Sequence, residues 1–273
     1  MKPSDKETPM ETPVSRPHVI LPMVGFGRRF KDEGYAHDKP LIEVGGRTLM
    51  DWSLSCLPLL WRPAVIAVVR EAQYELRTEL VRRGFKGDQL VTLAGITQGA
   101  ACSVLAAAVG LPPDDPVLVM NADQWFKLGG PLLDPSIPSP QRVWTLAMAH
   151  SHAIANKWDG FILTFPGKGP AWSYAVTNGT NRVVHVIEKK QVSDFATVGV
   201  YWWRRAADLV RSICAMIAVG QKTNQEFYMS PAYNFLPLSD KNVQIVPVEE
   251  FMGLGTPEQV RAFEARLQEG WTP

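Results

Sequence analysis

What this sequence has little of narrows the reading first. Its cysteines, Cys56, Cys102 and Cys214, are odd in number, far apart and each set in an apolar stretch. That argues against a disulfide framework and fits reduced core thiols of a cytoplasmic protein. No CxxC pattern occurs, so nothing suggests a zinc site. An excess of one charge is also missing: 28 Lys and Arg stand against 27 Asp and Glu, for a formal net charge of +1. No broad field therefore draws the chain to nucleic acid or an anionic membrane, and any positive site must be local. Long hydrophobic runs are absent, since even "AACSVLAAAVGLPP" meets its prolines short of the roughly 18 to 20 apolar residues of a membrane span. The opening "MKPSDKETPMETPVSRP" lacks the apolar centre of a signal peptide and reads as a disordered leader over residues 1–17.

What is present is a globular α/β pattern. With 273 residues, 46% of them hydrophobic, the chain can bury a sizeable core. "HVILPM" and "AVIAVV" are short β-branched runs that predict buried strands, as do "QLVTLAG" and "PVLVMNAD". The helical patterns "EAQYELRTELVRRG" and "QGAACSVLAAAVG" fall between them, which predicts βαβ units and ligands at the carboxyl ends of the strands. Near "SIPSP" the pattern changes to strands without regular helices between them. A nucleotide-binding half over about 18–135 and a substrate half over about 136–273 are expected within one domain, 18–273. "WSYAVTNGTNRVVHVIEKK" predicts a hairpin about Asn178-Gly179, and "FATVGVYWW" a further strand. "RRAADLVRSICAMIAVG" and "NQEFYMSPAYNFL" read as helices, the second broken near Pro231. "NVQIVPV" reads as a late strand and "TPEQVRAFEARLQEG" as a terminal helix with Pro257 in its first turn and Val260, Phe263 and Leu267 on one face.

The stretch "LPMVGFGRRFKDEGYAHDKPLIEVGG" puts glycines and positive charge directly after a strand. A Walker P-loop is excluded because GxxxxGK[ST] is absent. A dinucleotide fingerprint fails because Phe30 holds its third glycine position and a long loop follows. What remains is a plain solvated turn, or a loop whose backbone N–H groups approach a triphosphate, flanked by Arg29 and Lys39.

"GFGRRF" followed by "KP" resembles the signature of the sugar-phosphate nucleotidyltransferases, and five further matches follow in order between Val19 and Phe263. "TQGAACSVLAA" resembles the family's base-reading loop, "VLVMNADQW" the strand ending in a metal-binding aspartate, and "VIEKK" the Glu-Lys pair that meets substrate. "TVGVYWW" resembles the strand after that pair and "GLGTPEQV" the closing Gly-Thr-Pro. "EFYMSPAYN" is similar to a small branch found among capsular and surface polysaccharide gene products. The resemblance implies a Rossmann-like, mixed but mostly parallel sheet flanked by helices, with a small β-rich substrate lobe. It implies a reaction in which a phosphate oxygen of a phosphorylated substrate displaces pyrophosphate from a nucleoside triphosphate, with Mg2+ as cofactor.

The resemblance also assigns roles. Arg29 would neutralise the departing pyrophosphate, Lys39 would meet the α-phosphate or the attacking phosphate, and Asp123 would hold magnesium. Met23, Gly25, Phe26, Gly27 and Arg28 would form the triphosphate loop, and Gln98 and Gly99 would read the base. Glu188, Lys189, Gly199 and Glu226 would face the substrate. A solvated turn, a helix cap at Gln98 and a solvated charge cluster at 188–190 are the bland alternatives. His150 and His152 in "AHSHA", read as alternate strand residues, hint at a metal but lack a third ligand, and "VYWWRR" reads as core packing.

Three departures stand out. Arg28 replaces the family's Ser or Thr, and Val24 its common Ala. Gly253 stands where longer members carry a second metal-binding aspartate, for which Glu249, Glu250 or Glu226 are the candidate substitutes. The expected activity is transfer from an NTP to a sugar 1-phosphate for surface glycan assembly. The alternatives are a cytidylyltransferase acting on phosphocholine or a phosphorylated amino-acid derivative, an inactive nucleotide-binding regulator, and a glycosyltransferase, which normally needs the Asp-x-Asp that "NADQW" lacks. The expected partners are thus a nucleoside triphosphate and a phosphorylated small molecule, with a homo-oligomer left open.

Overall fold

The computed structural model describes residues 16–129 and 145–273. Most of the expected leader, and the expected break between halves near "SIPSP", lie outside the described residues.

The β-branched runs "HVILP", "VIAVVR" and "VQIVP" form strands. The chain begins with β1 (His18–Pro22), a short helix α1 (Arg28–Asp32), a two-residue hairpin of β2 (Glu43–Val44) and β3 (Arg47–Thr48), and α2 (Leu49–Ser55). There follow β4 (Val65–Arg70), α3 (Tyr74–Arg82), β5 (Leu90–Leu93), α4 (Ala100–Ala108), β6 (Val117–Met120) and β7 (Gln124–Lys127). The second half contributes α5 (Leu146–Ala155), β8 (Gly160–Pro166), β9 (Ser173–Thr177), β10 (Val183–Glu188), β11 (Phe195–Trp203), α6 (Ala206–Ala218), β12 (Val243–Pro247), β13 (Glu250–Gly253) and α7 (Pro257–Gln268).

The sheet runs in the order β10-β9-β11-β6-β1-β4-β5, with β8 and β12 attached through β11. Strands β1, β4, β5 and β6 are parallel, as βαβ crossovers require. Long β11 runs antiparallel to β6, β8 and β9 and so welds the second half onto the first. Its pairings leave β8, β9 and β12 running with β1, and β10 and β11 against it, giving a mixed sheet of mostly parallel strands. Period-2 alternation divides the core: Val19, Leu21 and Trp202 face one side with α5, and Ile20 and Trp203 face the other with α4 and α6. The tryptophans pack as expected, Trp202 stacked on Phe161 at 5.2 Å and Trp203 on Tyr233 at 4.1 Å.

Several local expectations needed correction. The loop after Gly27 contains α1. His150 and His152 lie on helix α5, where residues two apart diverge; His150 is buried between Trp61 and Trp202, and His152 lies against Trp158. "NQEFYMSPAYNFL" holds no α-helix: Asn224 and Gln225 take left-handed φ of 48° and 66° in a turn closed by Thr223 and Glu226, and the Ser230–Phe235 segment is a 3₁₀ helix. Cys214 is exposed on α6 rather than in the core. Among the described residues no helix is long and apolar enough to cross a membrane.

Candidate active site

A cavity of about 480 Å³ opens at the carboxyl ends of the parallel strands. One wall is the glycine loop. Its backbone is clamped by two buried side chains, Arg70 donating from Nε to the Val24 carbonyl at 2.7 Å and Gln73 donating to that of Met23 at 3.0 Å. Met23, Gly25 and Gly27 line the cavity. Gly25 faces open space, whereas Gly27, at φ 63°, caps α1 and leaves room for Lys39, whose Cβ would lie 3.0 Å from an added methyl. Arg29, exposed on α1, also lines this wall. Phe26 and Arg28 do not: the Phe26 ring lies 4.6 Å from the Arg70 guanidinium and 5.7 Å from that of Arg28, outside the lining.

Asp123 sits between β6 and β7 on the cavity floor, its carbonyl accepting from Leu254 N–H at 2.8 Å. The Lys39 ammonium bonds directly to Asp123 Oδ2 and donates to the Gly255 carbonyl at 3.3 Å. Opposite charges thus converge on one point where a carboxylate and a carbonyl oxygen hold a cation.

The other wall carries Glu188 and Lys189. Strand-neighbour side chains point to opposite faces, but β10 ends at Glu188 and Lys189 turns left-handed at φ 59°, so both line the cavity. That conformation costs a non-glycine residue about 1–2 kcal/mol. The Lys189 ammonium donates to the Ala171 carbonyl at 2.5 Å and lies 5.4 Å from the Tyr228 ring centre. Glu188 is held by the Ser173 and Ser230 hydroxyls, the latter at 3.1 Å, and its side chain is 3% exposed. Trp172, Tyr228 and Glu226 complete the rim. Burial and the Glu188 charge push the Tyr201 phenol up, so it stays protonated beside Thr197, 3.1 Å away. Gly199, at φ 94° in β11, lines the cavity where a side chain would collide with Asn121.

A strap joins the walls. Phe227 N–H donates to the Gln98 carbonyl at 2.8 Å and its own carbonyl accepts from Ala101 at 3.1 Å. Gly99 lies beneath the strap and lines the cavity, but Gln98 is exposed and only its backbone takes part. Thr97 and Ser103, bonded at 2.7 Å, are the hydroxyls on this side.

Sequence reasoning thus reached eleven residues that converge here: Met23, Gly25, Gly27, Arg29, Lys39, Gly99, Asp123, Glu188, Lys189, Gly199 and Glu226. It missed Arg70, Gln73, Thr97, Ser103, Trp172, Ser173, Tyr201, Tyr228 and Ser230. Tyr228 and Ser230 were within the quoted "EFYMSPAYN"; the Arg70 and Gln73 contacts span 46 and 50 residues and left no local signal.

The metal donor set is sparse. Among the described residues no group of three His, Cys, Asp or Glu converges to hold an ion. Beside Gly253 the space is filled by the Gln259 amide, which caps α7 and accepts from Gly255 N–H at 2.8 Å. Glu249 lies 3.6 Å from Lys127 and Glu250 pairs with Arg266 at 2.8 Å, both outside the cavity lining. One carboxylate and a carbonyl suit magnesium, which keeps waters and takes phosphate oxygens, and do not form a cage for a metal held by protein alone.

No family model matches the chain, and no curated protein matches it. Solved structures do. A nucleoside-diphosphate-sugar pyrophosphorylase from Vibrio cholerae RC9 superposes with a TM-score of 0.70 at 23% identity, covering 90% of this chain and 99% of that one. A UDP-glucose pyrophosphorylase complexed with UDP-glucose gives 0.68 at 11% identity, covering 94% and 100%. The inositol-1-phosphate CTP transferase of T. maritima gives 0.62 at 12%, covering 94% and 98%. The chain therefore has the nucleotidyltransferase fold.

Proposed function

We propose that this chain is a nucleotidyltransferase that joins a nucleoside triphosphate to a phosphorylated small molecule and releases pyrophosphate. The observation that carries the reading is one cavity with two unlike walls: a glycine loop with Arg29 and Lys39 on one side, Glu188 and Lys189 on the other, and Asp123 between them. The fold shared with pyrophosphorylases and a CTP transferase supports it.

The triphosphate would lie along Gly25 and Gly27, where absent side chains permit close approach of backbone N–H groups. Arg29 would form two bonds to the departing pyrophosphate. Lys189 would hold the acceptor's phosphate and Glu188, oriented by Ser173 and Ser230, its hydroxyl or other polar groups. An acceptor phosphate oxygen then forms a bond to the α-phosphorus as the bond to the β-bridging oxygen breaks, the electron pair leaving with pyrophosphate. Asp123 and the triphosphate oxygens would hold magnesium, which would supply charge neutralisation for the leaving group. Positioning and electrostatics supply most of the rate in such transfers, and no enzyme nucleophile is needed.

The preferred acceptor is a sugar 1-phosphate, with surface glycan assembly as the setting. A second reading is a cytidylyltransferase acting on phosphocholine or a phosphorylated amino-acid derivative, for which Trp172 and the Glu226 carboxylate on the rim would supply an aromatic side chain and a negative charge suited to a cationic head group. Incubating the chain and magnesium with each NTP against both acceptor classes tests them by pyrophosphate release. CTP with a cationic acceptor selects the second reading. NTP binding without release from any acceptor selects a non-catalytic nucleotide-binding regulator.

A further inference from the structure

We propose that Lys39 is a built-in placeholder for the metal: its ammonium occupies the cation position at Asp123 until a triphosphate draws it away, so the divalent ion enters with the nucleotide rather than before it. The inference rests on the reading of Asp123 as the metal ligand, and adds the order in which the site fills. Lys39 Nζ is bonded to Asp123 Oδ2 and to the Gly255 carbonyl, one carboxylate and one carbonyl, which are oxygen donors of the kind magnesium takes. The pairing is built in. Lys39 begins the Lys39–Leu41 3₁₀ turn, Pro40 behind it is buried, and the Gly27 gap admits its stem. Gly255 also comes close, since a methyl there would lie 3.3 Å from Asp123 Oδ2.

Electrostatics dictates the order. Among the described residues the site offers no cluster of three His, Cys, Asp or Glu, and its nearest charged neighbour to Asp123 is a cation. A free divalent ion must therefore displace Lys39 while gaining a single carboxylate, against like-charge repulsion in a partly shielded cavity. A triphosphate reverses the balance. Its negative charge gives the ammonium a new partner beside the glycine loop and brings oxygens that complete the ion's shell. Lys39 then serves both states, on Asp123 before nucleotide and on phosphate after it.

The test uses Mn2+ as probe, with binding to the full chain followed by the loss of its free-ion electron paramagnetic resonance signal, and no nucleotide or acceptor present. Wild type should bind weakly. Lys39→Met and Lys39→Gln, checked for fold by circular dichroism, should bind at least about tenfold more tightly, and adding Asp123→Asn to either should abolish the gain. Equal affinity in wild type and both variants, a gain that survives Asp123→Asn, or submillimolar wild-type binding that depends on Asp123 each overturns the proposal. Because no transfer is measured, its outcome is distinct from that of the activity test: Mn2+ uptake by the Lys39 variants stands even if no acceptor releases pyrophosphate.

Discussion

Replacing Gly99 by alanine tests whether the strap across the cavity is held as tightly as its geometry implies. The added Cβ would stand 2.5 Å from the Phe227 carbonyl oxygen and 2.6 Å from its nitrogen, against the roughly 3.3 Å or more of an ordinary carbon–oxygen contact. Neither atom can yield cheaply, because both are backbone groups committed to Gln98 and Ala101. Gly99 also sits at φ 133° and ψ 171°, a region essentially confined to glycine, where another residue costs about 1–3 kcal/mol. Overpacking adds about 1–3 kcal/mol. Gly99→Ala should therefore lose about 2–6 kcal/mol of stability by urea denaturation. The strap continues into Tyr228 and Ser230, which touch Lys189 and Glu188, so the KM for acceptor should rise together with that for nucleotide. A loss below about 1 kcal/mol with both KM values unchanged would refute the reasoning.

Other perturbations separate function from stability. Arg29→Ala, at an exposed position, should leave stability within about 0.5 kcal/mol while turnover falls about 10²–10³-fold, the usual cost of one transition-state donor, as read in steady-state pyrophosphate release. Lys189→Gly relieves a left-handed residue and should fold within about 1 kcal/mol of wild type while losing acceptor binding; a marked loss of stability would show that the lysine is a structural clamp. On α3, Glu79 is depressed from 4.5 to about 2 by hydrogen bonds from Arg82 and Arg83, and Arg83 also pairs with Asp51 at the start of α2. A depressed carboxyl stabilises the fold above its unfolded value, so this contribution should be complete above about pH 4.5 and decline as pH falls toward 2. Glu79→Gln should flatten that part of the acid-unfolding curve, and an unchanged curve would remove Glu79 from the account.

Much of the architecture was legible because it rests on local signals. β1 follows a β-branched run, the β9–β10 hairpin turns about Asn178-Gly179, and α7 carries Pro257 in its first turn with Val260 and Phe263 buried on one face; the Thr256 and Gln259 capping box that starts α7 was not read from the sequence. Helix α5 was missed although Thr145 caps it, because "LAMAHSHAIA" lacks a polar face that would show the helical period. "NQEFYMSPAYNFL" misled because tertiary bonds from Phe227 and the Thr223–Glu226 turn override its helical composition. At the site, the motifs predicted which charges converge but not how they are held. The Arg70 and Gln73 clamps and the Ser173 and Ser230 grip on Glu188 arise from folding distant segments together. The left-handed turn at Lys189 is local, yet no glycine marks it. Arg28, which departs from the family pattern, stays outside the cavity lining near Phe26, and nothing in the structure explains its change.

The central claim is that one cavity binds a nucleoside triphosphate and a phosphorylated acceptor for transfer. The most direct measurement is pyrophosphate release across the four NTPs, crossed with sugar 1-phosphates, phosphocholine and phosphorylated amino-acid derivatives in magnesium, for wild type, Arg29→Ala and Asp123→Asn. The account predicts release with one nucleotide and one acceptor class, lost in both variants while each stays folded. Full activity in both variants, or no release from any pair, would contradict it.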